Sequence, residues 1–193
     1  MNTEIITIID RSGSMQPLKS DVDGAFDAFV SDQLKVPSEA RLTLVQFDSD
    51  VETLFVAKPL VEVPRMNLVP RGMTALLDAI GTTLSVQQQR IQRESWAELV
   101  IVVIATDGCE NASREYSRPA IVSMVKDAEA RGWKFIYLAS NQDAFHAARD
   151  LGSSAQYSMS HDANALGTRA SYSYASETVR SLRSSSDPRR AQA

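Results

Sequence analysis

Leu99-Val100-Ile101-Val102-Val103-Ile104-Ala105 is the most apolar run of the chain, and Thr106-Asp107-Gly108 follows it directly. A short, mostly β-branched apolar run suits a strand buried on both faces. It falls far below the roughly 18 apolar residues of a transmembrane helix, and no other stretch comes closer. The polar triplet after it places a carboxylate at the C-terminal end of that strand.

Similar strand-length runs occur at residues 4–9, 42–47, 53–56 and 134–138. Helical periodicity fills most of the intervals. Leu18, Val22, Phe26, Phe29 and Val30 follow Pro17, a residue suited to a first helical turn. Leu77, Ile80, Leu84 and Ile91 form a second stripe, weakened by Gly81. Ile121, Val125 and Ala128 form a third, entered through Ser117 and Pro119 and closed by Gly132. Phe145, Ala148 and Leu151 give a short fourth, with Asn141 as its cap and Gly152 as its stop. Leu166, Ala170, Tyr174, Val179 and Leu182 mark a last helix. Doubly apolar strands alternating with amphipathic helices predict a doubly wound, Rossmann-like α/β domain: a mainly parallel sheet with helices on both faces. Asp48-Ser49-Asp50 separates two runs too closely for a crossover, so one edge strand should be antiparallel. We expect one domain over residues 1–184 and a polar, flexible tail over 185–193, where Arg189 and Arg190 are read as solvated rather than phosphate-binding.

The chain has 193 residues, 44% hydrophobic and 23% charged, which excludes wholesale disorder and suits a single domain burying about 70% of its unfolded surface. Its 20 basic against 24 acidic residues, net charge -4, argue against a dedicated nucleic-acid binder. The single cysteine, Cys109, and the two histidines, His146 and His161, supply neither a disulfide nor a soft-ligand metal cluster. A bound metal must be held by oxygen. The run at 4–9 lacks a basic leader and is too short for a signal peptide, so cytoplasmic residence is expected.

Asp10-Arg11-Ser12-Gly13-Ser14 lies where the first strand ends and the first helix has not begun. Ligands of open α/β sheets bind at such strand ends. Asp10 offers a charged oxygen, Ser12 and Ser14 offer hydroxyls, and Gly13 allows the tight turn that brings them together. Mg²⁺ takes six oxygens and usually keeps several waters, so this loop makes half a site. Thr74, in Pro70-Arg71-Gly72-Met73-Thr74-Ala75-Leu76-Leu77-Asp78, and Asp107 are placed to complete it. The two carboxylates would balance the cation's charge.

These motifs resemble the metal-ion-dependent adhesion site of von Willebrand factor A (vWA) domains: Asp-x-Ser-x-Ser, a distant Thr before Ala-Leu, and Thr-Asp-Gly after a buried strand. The resemblance covers essentially the whole chain. It is strongest to small stand-alone bacterial and phage vWA proteins, with which residues 44–48, 106–113 and 139–144 are also similar. It implies that Asp10, Ser12, Ser14, Thr74 and Asp107 hold Mg²⁺ or Mn²⁺, directly or through water. It further implies an open coordination position for a Glu or Asp carboxylate of a partner protein, and binding rather than turnover. In relatives, exchange of the direct ligand between the Thr and the second Asp is coupled to movement of the last helix. Met73 departs from the family, which commonly has a small residue there, and is expected to narrow access to the metal. Bacterial vWA proteins of this kind are often partnered with MoxR-type AAA+ ATPases, a second reading of function. No nucleic-acid or membrane partner is implied.

Taken singly, each motif has a structural reading: capping serines at a strand end, Thr74 as an N-cap, Thr106-Asp107-Gly108 as a turn. Their order and joint placement favour the metal site. A haloacid-dehalogenase-like phosphatase also begins with Asp after its first strand, but needs a second Asp where Ser12 stands. No Gly-x-Ser-x-Gly elbow and no phosphate-binding Gly-x-x-x-x-Gly-Lys-[Ser/Thr] loop occurs. No catalytic residues are therefore assigned. Cys109 has no His nearby in sequence and is read as structural. His146 is read as a surface or packing residue, His161 as a loop residue, and Trp96 and Trp133 as packing residues. Asp48 and Asp50 are read as a solvated hairpin turn rather than a second cation site.

Overall fold

The computed structural model describes residues 1–108, 110–140 and 144–185. Cys109, the expected cap Asn141 and the tail arginines Arg189 and Arg190 lie outside the described residues. Six strands form one sheet: β1 (Thr3–Asp10), β2 (Ala40–Phe47), β3 (Val51–Pro59), β4 (Leu99–Thr106), β5 (Lys134–Ser140) and β6 (Tyr157–His161). Their order is β3-β2-β1-β4-β5-β6. All pairs are parallel except β2–β3, the expected antiparallel edge hairpin. β1 lies between β2, which the chain reaches next, and β4, from which it proceeds the other way. The order therefore reverses between β1 and β4, and their C-terminal ends flank the crevice that such a reversal opens.

Alternation along each strand feeds two cores. Ile5 and Ile9 of β1, with Ile101 and Val103 of β4, pack under α1 (Lys19–Gln33) and α5 (Ala165–Ser185) through Phe26, Phe29, Tyr172 and Val179. Ile6 and Ile8, with Val102 and Ile104, pack under α2 (Leu76–Glu94), α3 (Arg118–Ala130) and α4 (Ala144–Asp150). β1 and β4 are buried along their whole length, as their runs predict. Pro17 sits in a 3₁₀ turn (Gly13–Leu18) that leads into α1. Gly81 is required by packing: a Cβ there would run into the Tyr116 ring. Gly132 and Gly152 end their helices with φ of +91° and +88°.

Three expectations need correction. β6 is a strand that sequence reading leaves as loop, and His161 is its last residue, paired with Ser140. Its Tyr-Ser-Met-Ser-His sequence is half polar because it is an edge strand. In α5 the buried face is Thr168, Ser171, Tyr172, Ala175, Ser176, Val179 and Arg183, whereas Leu166 and Ala170 are exposed. Small and polar residues carry the contact with α1, so apolar periodicity misjudged the face. Phe145 is likewise 46% exposed, and α4 docks through Ala144 and Ala148. Trp133 is buried, and Trp96 is half-buried with the Arg41 guanidinium 4.0 Å from its ring centroid. Among the described residues no helix is long and apolar enough to cross a membrane.

Candidate metal centre

Ile9 of β1 pairs with Ala105 of β4, which brings Asp10 beside Thr106 at the mouth of the crevice. Asp10 is fully buried, with both oxygens committed. Oδ1 accepts the Ser12 backbone N–H at 2.7 Å and Oδ2 accepts the Thr106 hydroxyl at 2.6 Å. The Ser12 and Ser14 hydroxyls are 3.0 Å apart, and Ser14 donates to Asp107 Oδ1 at 2.9 Å. Thr74 enters from a third loop. A Cβ added to Gly108 would lie 3.6 Å from its Oγ1, so the hydroxyl borders the residue after Asp107. Asp10, Ser12, Ser14 and Asp107 are thus joined at the crevice, and Thr74 lies beside them across Gly108.

The two capping alternatives fail on geometry, while Thr106 and Gly108 do form a local turn, the Gly108 N–H donating to Thr106 Oγ1 at 3.2 Å. Ser12 makes no side-chain cap bond to the turn it precedes. The N-cap of α2 is Ala75 and makes no side-chain cap bond. Instead, Glu110 accepts the Leu77 N–H at 2.9 Å and Ser113 Oγ accepts the Asp78 N–H at 3.1 Å. Thr74 Oγ1 makes no hydrogen bond among the described residues, and it is not one of the fully buried polar atoms without a partner, so it is open to a ligand.

The donor set fits a hard divalent cation. Neighbouring oxygens around octahedral Mg²⁺, each about 2.1 Å from the metal, lie about 3.0 Å from one another. The Ser12–Ser14 and Ser14–Asp107 oxygen pairs already have that spacing. Among the described residues, no group of three or more His, Cys, Asp or Glu is placed to hold a metal. The hydroxyls are therefore indispensable to any cation site here.

Burial raises Asp10 above the ordinary carboxylate range, against the opposing hydrogen bonds from Thr106 and Ser12. Burial likewise raises Asp107, against the Ser14 hydroxyl. A cation held by both groups competes with protons for them, and the raised values strengthen that competition. Mg²⁺ or Mn²⁺ affinity is expected to be weaker at pH 5 than at pH 8, with protons released at the lower pH. Calorimetric titration in buffers of different ionisation enthalpy checks this, and a buffer-independent heat at pH 5 would contradict it.

Several supporting residues had no assigned role from sequence. Thr106 orients Asp10. Asn111 brackets Thr74, accepting its N–H at 2.9 Å and donating its own N–H to the Thr74 carbonyl at 3.0 Å. Asp78 accepts the N–H groups of Arg114, Glu115 and Tyr116 at 2.7–2.9 Å, sewing the β4–α3 loop to α2. These residues lie in or next to the quoted motifs, but their partners are remote in sequence.

Asp48 is a further correction. It is 2% exposed rather than solvated, and its Oδ2 accepts Arg11 Nε at 2.7 Å and Arg71 Nε at 2.8 Å. That arrangement excludes it from a second cation site. Burial alone would raise its pKa, but the Arg71, Asp50 N–H and Arg11 hydrogen bonds outweigh burial and hold it below the usual range. Asp50 is exposed. Arg11 also donates to Glu52 at 2.6 Å. Backbone bonds from Arg71 N–H to the Arg11 carbonyl (2.8 Å) and from Gly13 N–H to the Gly72 carbonyl (3.2 Å) join the Thr74 loop to the Asp10 loop. Gly72 has φ +67°, a conformation that disfavours other residues, and a Cβ there would crowd Ser49 Oγ at 3.0 Å. Met73 is 52% exposed, its N–H held by Ser49 Oγ, so its side chain lies at the surface.

No protein-family model matches the sequence, and no curated protein is significantly similar to it. Solved structures are similar. Proximal thread matrix protein 1 of the mussel byssus, with a zinc-occupied MIDAS motif, aligns with 94% of this chain at TM-score 0.63 and 17% identity. This chain spans 45% of that protein's length. The vWF domain of the type V pili tip protein Mfa5 from Porphyromonas gingivalis aligns over 92% of this chain and 94% of its own, at TM-score 0.62 and 11% identity. Manganese-loaded TRAP protein of Plasmodium vivax aligns over 88% of this chain and 71% of its own, at TM-score 0.60 and 16% identity. At such identities the likeness is one of fold, and it agrees with the strand order and the single antiparallel edge: this chain has the fold of von Willebrand factor A domains.

Proposed function

We propose that this chain is a divalent-metal-dependent protein-binding module that holds Mg²⁺ or Mn²⁺ and takes an acidic residue of a partner protein. The observation that carries the reading is the convergence of Asp10, Ser12, Ser14, Thr74 and Asp107, with neighbouring oxygens 2.9–3.0 Å apart. A zinc-occupied MIDAS motif in one structural neighbour and the manganese loading of another support a metal here. A cation at this point supplies a coordination position for the partner's carboxylate. Asp10 and Asp107 offset its charge, and the three hydroxyls add none, so attraction for an anion is retained. Thr106 and the Ser12 N–H fix Asp10, while Asn111 fixes Thr74.

The module is proposed to bind without turnover. Ser12 occupies the position where a phosphatase of this general fold needs its acid. An accessory role to a MoxR-type AAA+ ATPase would use the same metal face and differs only in what is captured there.

Calorimetric titration of Mg²⁺ and Mn²⁺ into wild type and Asp10→Ala tests the site. Removal of groups that merely support a ligand costs about 10–100-fold in affinity, so loss of the ligand itself should exceed about 100-fold. Equal binding by the two proteins would rule the site out.

A further inference from the structure

Arg71 stands on the rim of the metal centre with its charge only partly used. Its side chain is 58% exposed, and among the described residues its one side-chain hydrogen bond runs from Nε to Asp48, with Glu52 and Asp50 acting on its charge from farther off. Neither terminal nitrogen donates to another described residue. Asp48 is itself held by buried Arg11 on the same oxygen, so the Arg71 guanidinium is oriented from beneath, with its Nη groups free for a ligand. A planar guanidinium with both Nη groups free suits a carboxylate. Exposed Val69 and Met73, 53% and 52% accessible, flank it on the same loop. The rim therefore reads apolar, basic, apolar.

We propose that Arg71 is the specificity-determining contact of this face and takes a second acidic side chain of the partner; this rests on the metal-dependent reading above. Asp10 pairs with Phe47 across adjacent strands, so Asp48 and the guanidinium beyond it are displaced from the metal ligands toward β2. One strand spacing is about 4.8 Å, and the added ion pair puts the guanidinium on the order of 5–10 Å from the metal ligands. Side chains two residues apart on one face of an extended segment are about 6.8 Å apart. The recognised segment is thus an extended Asp/Glu-x-Asp/Glu, one carboxylate for the cation and one for Arg71, with apolar neighbours against Val69 and Met73. Arg71 is 58% exposed, and without it buried Asp48 keeps Arg11 as its partner, so Arg71 variants should fold.

The test is selection of a random displayed peptide library on Mg²⁺-saturated protein, with release by EDTA, for wild type, Arg71→Lys and Arg71→Gln. Metal titration first verifies that each protein is loaded. Peptides released from wild type should carry paired acids at positions i and i+2. Arg71→Lys should keep that pairing, and Arg71→Gln should keep one acid while enrichment of the second falls at least about fivefold. The same paired acids on Arg71→Gln, or no second acid on wild type, would overturn the role of Arg71 and leave the metal-dependent reading standing. No EDTA-released peptides from loaded wild type would overturn both.

Discussion

Asp48→Ala is expected to destabilise the protein by about 3–5 kcal/mol, the usual consequence of stranding a buried charge by removing its partner. Arg11 is the stranded group: its side chain is 6% exposed, and Nε would lose its acceptor. Glu52 would still accept from Nη1, but at 50% exposure it is a solvent-screened partner. The truncation also releases Arg71 from beneath. Because Arg11 directly precedes Ser12, and the Gly72 carbonyl holds Gly13, slack here reaches the metal ligands. Metal affinity in whatever folds should fall by about 10–100-fold, as for other supports of metal ligands. Urea unfolding and metal calorimetry together check this, and a stability loss below about 1 kcal/mol would show that the latch is dispensable. The depressed Asp48 pKa sets the sign of its pH effect. Its stabilising contribution is present above the unfolded value of about 3.8 and is lost as pH falls through the lower folded value.

Asp10→Asn should act in the opposite direction on the metal-free protein. Ionised Asp10 is fully buried, and the effective penalty for such a group is several kcal/mol before its hydrogen bonds are counted. Asparagine keeps the acceptor for the Ser12 N–H. Thr106 can rotate its hydroxyl toward the Gly108 carbonyl, 3.2 Å away, and accept from the new amide. A metal-free gain of roughly 1–2 kcal/mol follows, or about 2–8 °C in Tm. Because the folded-state pKa of Asp10 is raised, the wild type is best supported at low pH, below the unfolded value of about 3.8. That support is lost as pH rises through the raised folded value, so the advantage of Asp10→Asn should widen over this range and then level off. Metal reverses the ranking. At a concentration about 100 times its Kd, a ligand adds about 2.7 kcal/mol to wild type, or about 5–11 °C. Asp10→Asn should gain almost nothing. Thermal melts with and without Mg²⁺ between pH 4 and 8 check both halves, and an undiminished metal increment in the variant would remove Asp10 from the site.

The layout of the sheet was legible because strands buried on both faces must be apolar throughout, and residues 99–105 and 4–9 satisfy that demand with little ambiguity. The hairpin at Asp48-Ser49-Asp50 was equally plain, since so short a connection cannot cross over. β6 and the inner face of α5 were not legible. An edge strand need bury only part of itself, and two helices can approach closely through Ser, Ala and Thr, so neither leaves a strong apolar period.

The candidate ligands were readable for a related reason. Asp10, Ser12 and Ser14 are local, and Thr74 and Asp107 carry distinctive neighbours at strand and helix ends. Sequence therefore determined which oxygens are available, and its shortage of Cys and His pointed to oxygen ligands for any metal here. Tertiary structure decided how those oxygens are held. It left Thr74 Oγ1 without a hydrogen bond among the described residues, gave Asp10 to Thr106, and turned Asp48 from an apparent surface turn residue into the buried link between Arg11 and Arg71. Those outcomes depend on contacts between residues 23 to 96 positions apart, set by strand order and burial, and no local pattern encodes them.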